Sequence, residues 1–153
     1  MTVYRLCKGK YKNDLSGKGA ELAGGRWNKK GFPVIYTSES RALCTTEIAV
    51  HIPLGIIPND YYLVTIYIPD DIAIEEIKPN TLPADWKDIP YGYSTQEIGD
   101  SFLQANNYLI LKVPSVVVPG DFNYLINPNH PDFRYIKITK TEKFEFDKRL
   151  FQK

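Results

Sequence analysis

The run Tyr61-Tyr62-Leu63-Val64-Thr65-Ile66-Tyr67-Ile68 is β-branched or aromatic at every position except Leu63. Side chains of that kind fit the pleated surface of a strand and lose freedom in a helix. Pro69 and the Asp70-Asp71 pair stop the run. A chain organised round such a strand needs others beside it, and several are in view. Residues 33–37 form a short β-rich stretch after the turn signal Gly31. Residues 108–113 and 116–118 read as two buried strands bent at Pro114-Ser115, and residues 133–138 alternate apolar with charged side chains. Residues 143–146 extend the same sheet. Helices are fewer. Ser38 or Ser40 caps one over residues 41–51, closed by Pro53, and a second covers 95–106 with Ile98, Phe102 and Ala105 at helical spacing. Strands and helices do not alternate strictly, so the expected class is α+β, a compact single domain over residues 1–153 with a curved, largely antiparallel sheet. A doubly wound parallel sheet would need more helices.

The length of 153 residues suits one domain that needs no disulfide or metal staple. Apolar residues at 43% and charged residues at 24% exclude a disordered, collagen-like or coiled-coil chain. Nineteen Lys and Arg against 18 acids give no global basicity of the kind that marks a nucleic-acid binder. Charge is uneven along the chain, however. Residues 1–30 carry eight basic side chains against Asp14 and Glu21, and residues 60–100 carry nine acids against Lys78 and Lys87. The basic end is either a solvated surface or one side of a cleft for an anion. Cys7 and Cys44 are too far apart for a CxxC pair, and with only His51 and His130 beside them no metal-ligand spacing arises. They read as buried free thiols in a reducing compartment. The N-terminus has no signal-peptide core, and the longest apolar stretch, 108–118, is broken by Lys112 and Pro114. The expected location is the cytoplasm.

Four positions invite a chemical reading, each beside a structural one. In Gly24-Gly25-Arg26-Trp27-Asn28, two glycines allow a sharp turn or close approach to a ligand, and Arg26 offers a planar fork of donors suited to phosphate. The plain alternative is a surface Arg in a loop. Glu47 lies in Cys44-Thr45-Thr46-Glu47-Ile48-Ala49-Val50, the least polar part of its helix. A carboxylate there finds a partner, is held for function, or faces water from the helix rim. Ser115 interrupts an apolar double strand without the flanking glycines of a nucleophile elbow, so it reads as a bend hydroxyl, not a hydrolase nucleophile. Tyr36, at the end of its strand, is a core aromatic or a stacking surface. His130 sits in the turn-rich Asn127-Pro128-Asn129-His130-Pro131 and reads as structural.

In sequence order these pieces resemble the RES domain, named for its Arg, Glu and Ser and found as the toxin of bacterial toxin–antitoxin pairs. Tyr4-Arg5 resembles the opening YR element, and Gly24-Gly25-Arg26-Trp27-Asn28-Lys29-Lys30-Gly31 the GGRWN block. Val34-Ile35-Tyr36-Thr37-Ser38-Glu39-Ser40, then Leu43 and Glu47, resembles the strand-then-helix segment. Val113-Pro114-Ser115, Val118-Pro119, Asn123 and the residues from Leu125 to Pro131 resemble the C-terminal signature.

The resemblance implies a fold similar to ADP-ribosyltransferases and an activity that consumes NAD by hydrolysis or phosphorolysis of the nicotinamide–ribose bond. Some relatives instead transfer ADP-ribose to a protein. NAD is then substrate, and no cofactor or metal is expected. A helix-turn-helix antitoxin of Xre type would cover the active site, in an assembly holding two copies of the toxin. Arg26, Glu47 and Ser115 are the expected catalytic set: Arg26 on the pyrophosphate, Glu47 on the developing ribosyl cation, Ser115 on the substrate or on Glu47. Arg5 would add a second positive contact and Tyr36 would stack on nicotinamide. The reading from a different class is a non-catalytic module that binds a nucleotide or acidic partner in the basic cleft and leaves Glu47 idle.

Overall fold

The computed structural model describes residues 1–152. Strand β1 (Thr2–Lys8) and helix α1 (Lys18–Ala23) are followed by β2 (Ile35–Ser38) and α2 (Arg41–Ala49). Strands β3 (Tyr61–Tyr67) and β4 (Ile74–Glu76) precede the longest helix, α3 (Tyr93–Ala105). Strands β5 (Ile110–Pro114), β6 (Phe122–Ile126) and β7 (Lys137–Phe144) complete one sheet of order β4-β5-β6-β2-β1-β3-β7. Only β4 and β5 run parallel; the other pairings are antiparallel.

The pairing along this sheet is uneven, and the unevenness matters. β3 is laddered over its whole length to β1 on one side and to β7 on the other. β2 is laddered to β6 from Ile35↔Ile126 to Ser38↔Asn123. Between β1 and β2, by contrast, the register consists of the single pair Tyr4↔Ser38. The sheet is therefore two wings hinged at one residue pair, and a gap opens where β1 and β2 part.

Each wing carries a helix. Leu6 and Leu63, neighbours in register, face Cys44 of α2 with Phe146 and Phe151. Leu111, Val113 and Leu125 on the other wing face Phe102 of α3 together with Trp27 and Val34. The alternate residues, among them Val3, Val64, Ile66, Ile110 and Ile126, form a third cluster on the opposite side of the sheet. The expected helix 41–51 is α2: Ser40 is its cap, its hydroxyl accepting from the Leu43 N–H at 3.0 Å, and it ends at Ala49. Thr95–Asn106 corresponds to α3, which starts two residues earlier and stops at Asn106 in the left-handed conformation, φ 53°.

Two expected strands take other forms. Residues 116–118 are a bend, because the Ser115 hydroxyl accepts the Val117 and Val118 N–H groups at 3.1 and 3.0 Å and draws the backbone out of the ladder. The strand beyond it is β6, starting only at Phe122. Residues 133–138 begin as a short 3₁₀ helix, Pro131–Tyr135, with His130 Nδ1 accepting from the Asp132 N–H, and extend into β7 only from Lys137. Strands β1, β4 and β6 and helix α1 lie outside the elements that the sequence predicts. β1 mixes Arg5 and Lys8 with apolar residues and is a strand because β3 lies beside it.

Gly99 sets the approach of α3. A Cβ there would sit 1.6 Å from the Trp27 carbonyl oxygen, so only glycine lets the helix lie against that turn. Gly99→Ala is expected to destabilise the protein by about 3 kcal/mol, the upper range for overpacking, read as a lowered midpoint in urea with an unchanged slope.

Candidate functional site

The gap between β1 and β2 deepens into a cleft of about 990 Å³. Its walls come from five parts of the chain: Arg5 on β1, the Gly24–Trp27 turn, Tyr36 on β2, Glu47 and His51 after the cap of α2, and Ile89–Tyr91. Pro114 and Val116, flanking Ser115, and Asn123 on β6 close the remaining side.

Glu47 is half-buried, and its carboxylate is held from one side. Oε1 accepts the Ser115 hydroxyl at 2.7 Å and the Asn123 Nδ2 at 2.7 Å. The direction of both bonds follows from what lies behind them. Two backbone N–H groups already point at Ser115 Oγ, so its proton is left for the carboxylate. The Ser38 hydroxyl donates to Asn123 Oδ1 at 2.8 Å, which orients the amide with its NH₂ toward Glu47. Charge-assisted bonds of this length are the strong ones, and here they fall on one oxygen, leaving Oε2 without a hydrogen-bond partner among the described residues.

Arg26 is presented by a locked turn. Gly25 and Asn28 bond each other's backbone, at 2.9 and 3.4 Å. The fully buried Asn28 side chain donates to the Ala20 and Phe32 carbonyls at 2.8 and 3.0 Å and accepts the Tyr36 hydroxyl at 2.6 Å. From α3, Gln96 Nε2 donates to the Gly25 and Asn28 carbonyls, and Asp100 accepts the Lys29 N–H at 3.0 Å. Trp27 is sunk in the core, so Arg26 is the long side chain of the turn left for the cleft. Its Nη1 donates to the Trp86 and Asp88 carbonyls at 2.9 and 3.0 Å. Burial pulls its guanidinium below the ordinary value and the Glu47 carboxylate pushes it back; an Arg so placed stays charged.

Tyr36 lines the cleft while its hydroxyl serves the turn, donating to Asn28 and accepting the Trp27 N–H at 3.1 Å. Burial raises its phenol well above the usual value, so it remains a donor. Gly25 lies against it: a Cβ would come 2.6 Å from the Tyr36 oxygen. Arg5 lines the cleft from β1 with its guanidinium on the Asp14 carbonyl. Cys44 also borders the cleft, but burial pushes its thiol up to about 12, which keeps it protonated and unreactive. Among the described residues no three His, Cys, Asp or Glu gather as a metal site, and no helix is long and apolar enough to cross a membrane.

All five side chains singled out in the sequence thus border one cleft or bond to a residue that does. Four others were given no role: Asn123, which orients Glu47, Gln96 and Asp100, which clamp the Arg26 turn, and Tyr91. An Asn inside an otherwise apolar strand is a detectable signal, since Asn is disfavoured there. Gln96 and Asp100 carry no such signal, because polar residues on a helix ordinarily face water.

This arrangement places one half-free carboxylate and a guanidinium across a space large enough for a nucleotide. Known proteins share the chain that builds it. The relatives include "Prs ADP-ribosylating toxin" of Sphingobium sp. (strain YBL2), 41% identical over 143 residues that cover 92% of this chain and 89% of that protein. "Toxin Res" of Photorhabdus laumondii is 37% identical over 152 residues, 98% of this chain and 97% of its own. Among solved structures, a chain of the M. tuberculosis MbcT–MbcA toxin–antitoxin complex shares the fold, with TM-score 0.72 at 23% identity over 98% of this chain and 86% of that one. The RES domain profile matches residues 2–147, from β1 past the end of β7 and through Arg26, Glu47 and Ser115, and the chain belongs to the RES domain family.

Proposed function

We propose that this protein is the toxin of a toxin–antitoxin pair, acting in the cytoplasm by cleaving the nicotinamide–ribose bond of NAD. The observation that carries the reading is the Glu47 carboxylate, tied through Oε1 to Ser115 and Asn123 with Oε2 left toward a cleft that Arg26 also borders. Breaking the C1′–N bond sends its electron pair to the pyridinium nitrogen, so nicotinamide leaves neutral and needs no proton. Positive charge builds on the ribose instead, as in glycoside cleavage. A carboxylate already oriented, with no solvent to reorganise, stabilises that charge where it develops. Glu47 supplies it through Oε2, directly or through a ribose hydroxyl, and Ser115 and Asn123 are positioning residues. Arg26 holds the pyrophosphate through the donors that the loop carbonyls leave free, Arg5 adds positive charge from β1, and the Tyr36 ring borders the nicotinamide. An acceptor then closes on C1′: water gives ADP-ribose and a proton, phosphate gives the 1-phosphate.

A protein side chain as acceptor is the second reading, and the name of the Sphingobium relative favours it. Product analysis with pure protein and NAD, with and without phosphate and with a candidate target protein, separates the three. No metal is required on this account, so a chelator is expected to leave nicotinamide release unchanged; loss of activity restored by zinc would overturn that.

The partner is proposed to be a helix-turn-helix antitoxin of Xre type that fills the cleft and brings acidic or C-terminal carboxylate groups to Arg26 and Arg5. The toxin–antitoxin source of the similar fold supports a partner of this role. Co-expression with the product of the adjacent reading frame is expected to give one assembly on a sizing column, with two copies of this chain and no nicotinamide release.

Glu47→Gln is expected to retain NAD binding while turnover falls by on the order of 10²–10³, because the charge is needed only in the transition state. Arg26→Ala is expected to lose affinity as well, since a phosphate contact exists in the ground state. Calorimetry and nicotinamide release, measured on both variants, check the pair. A Glu47→Gln protein that turns over like the parent would favour the non-catalytic module.

A further inference from the structure

The segment between β4 and α3 contributes to the cleft from more than forty residues beyond Glu47 in the chain, and none of the roles above uses its side chains. It is a built loop, not a slack one. The Trp86 N–H donates to the Pro83 carbonyl at 3.1 Å, the Asp88 N–H to the Asp85 carbonyl at 3.0 Å, and Asp85 accepts the Ser94 hydroxyl from the head of α3 at 2.8 Å. Arg26 fastens its middle through the Trp86 and Asp88 carbonyls. Beyond that point the loop turns Ile89, Pro90 and Tyr91 toward the cleft.

Their exposure is unusual for their chemistry. Ile89 is 85% exposed and Tyr91 40%, although both are large and apolar or aromatic. The Tyr91 ring lies beside the Arg26 guanidinium, 5.7 Å from centroid to Cζ. Of the other aromatics in this part of the cleft, Trp27 is buried in the core, and Tyr36 has its hydroxyl tied inside the protein and a ring packed against that core. Tyr91 is the ring with an open face next to the proposed pyrophosphate anchor. A dinucleotide held at Arg26 has an aromatic base on either side of its phosphates, and a base on an aromatic side chain is a favourable stack that needs no hydrogen-bond readout.

We propose that Tyr91 is a substrate-binding residue, the platform on which one base of the dinucleotide stacks, and that Arg26 fixes the loop so that phosphate and base are gripped by one unit. The inference rests on the NAD reading of the cleft. It assigns ground-state binding to Tyr91 and no part in the bond-breaking step, so the two are separable by kinetics.

The test measures KM and kcat for NAD with the parent, Tyr91→Ala, Tyr91→Phe and, as a nearby control at the head of α3, Tyr93→Ala, a residue that is 75% exposed and does not line the cleft. Tyr91→Ala is expected to raise KM by on the order of tenfold, within the range for one base–aromatic stack, with kcat unchanged. Tyr91→Phe is expected to restore KM, and Tyr93→Ala to match the parent. Calorimetry with ADP-ribose and with nicotinamide mononucleotide then tells which base is held, since only the ligand carrying it should bind Tyr91→Ala more weakly. A Tyr91→Ala protein with parental KM and parental affinity for both ligands overturns the inference while leaving the NAD reading intact. A parent chain that neither binds nor cleaves NAD overturns both.

Discussion

The backbone ladder between the two wings of the sheet narrows to the single residue pair Tyr4↔Ser38, and the functional cleft lies around it. Because β1 and β2 are not laddered along their length, Arg5 and Tyr36 from the two strands both reach the cleft. Below the joint, the cluster of Val3, Val64 and Ile66 with Ile35, Ile110 and Ile126 packs across both wings and keeps Arg5 on β1 in place against Tyr36 on β2. One backbone pair is enough because β3 is laddered on both sides, β2 and β5 lie on either side of β6, each wing has its own helix-backed cluster, and a third cluster packs across both. The partner at the joint is also the start of the polar chain, since Ser38 donates to Asn123 and Asn123 to Glu47.

That chain shows how a carboxylate can sit among Ala, Ile and Cys side chains without an ion pair of its own. Burying a bare charge is costly, and two short charge-assisted bonds to one oxygen offset much of it. Each donor is itself oriented by a further bond, Ser115 by two backbone N–H groups and Asn123 by Ser38, so the carboxylate has one orientation available. Such preorganisation is what an electrostatic catalyst needs, because the cost of arranging the dipoles is met in folding and not during the reaction. Arg26 is treated alike. Its turn is clamped by Asn28, Gln96, Asp100 and Tyr36, and the guanidinium itself by two loop carbonyls.

Where an element differs from its sequence pattern, the cause is a local competition that apolar patterning does not record. Val116-Val117-Val118 has strong strand character, yet one hydroxyl at Ser115 bonds two of its N–H groups and turns the chain. The Pro131–Tyr135 turn starts at a proline after a side-chain cap at His130, and its alternating polarity mimics a strand without being one. β4 is three residues long and exists because β5 lies beside it. Where a hydrophobic period and a cap coincide, as from Ser40 into α2, sequence and structure agree.

By itself the sequence determined the α+β class, the strand at Tyr61–Tyr67, the capped helix that carries Glu47, and the ordered set of short motifs that marks the RES family. Those properties are carried by neighbours along the chain: side-chain shape against the backbone, helical spacing, a capping hydroxyl. Tertiary structure alone decided that Glu47 is held through Oε1, that Ser115 donates its hydrogen bond to that oxygen, that Asn123 completes the pair, and that Tyr91 stands beside Arg26. The contacts to Glu47 and Arg26 join residues separated by sixty or more positions, and hydrogen-bond direction depends on what else surrounds the donor. No local pattern encodes that.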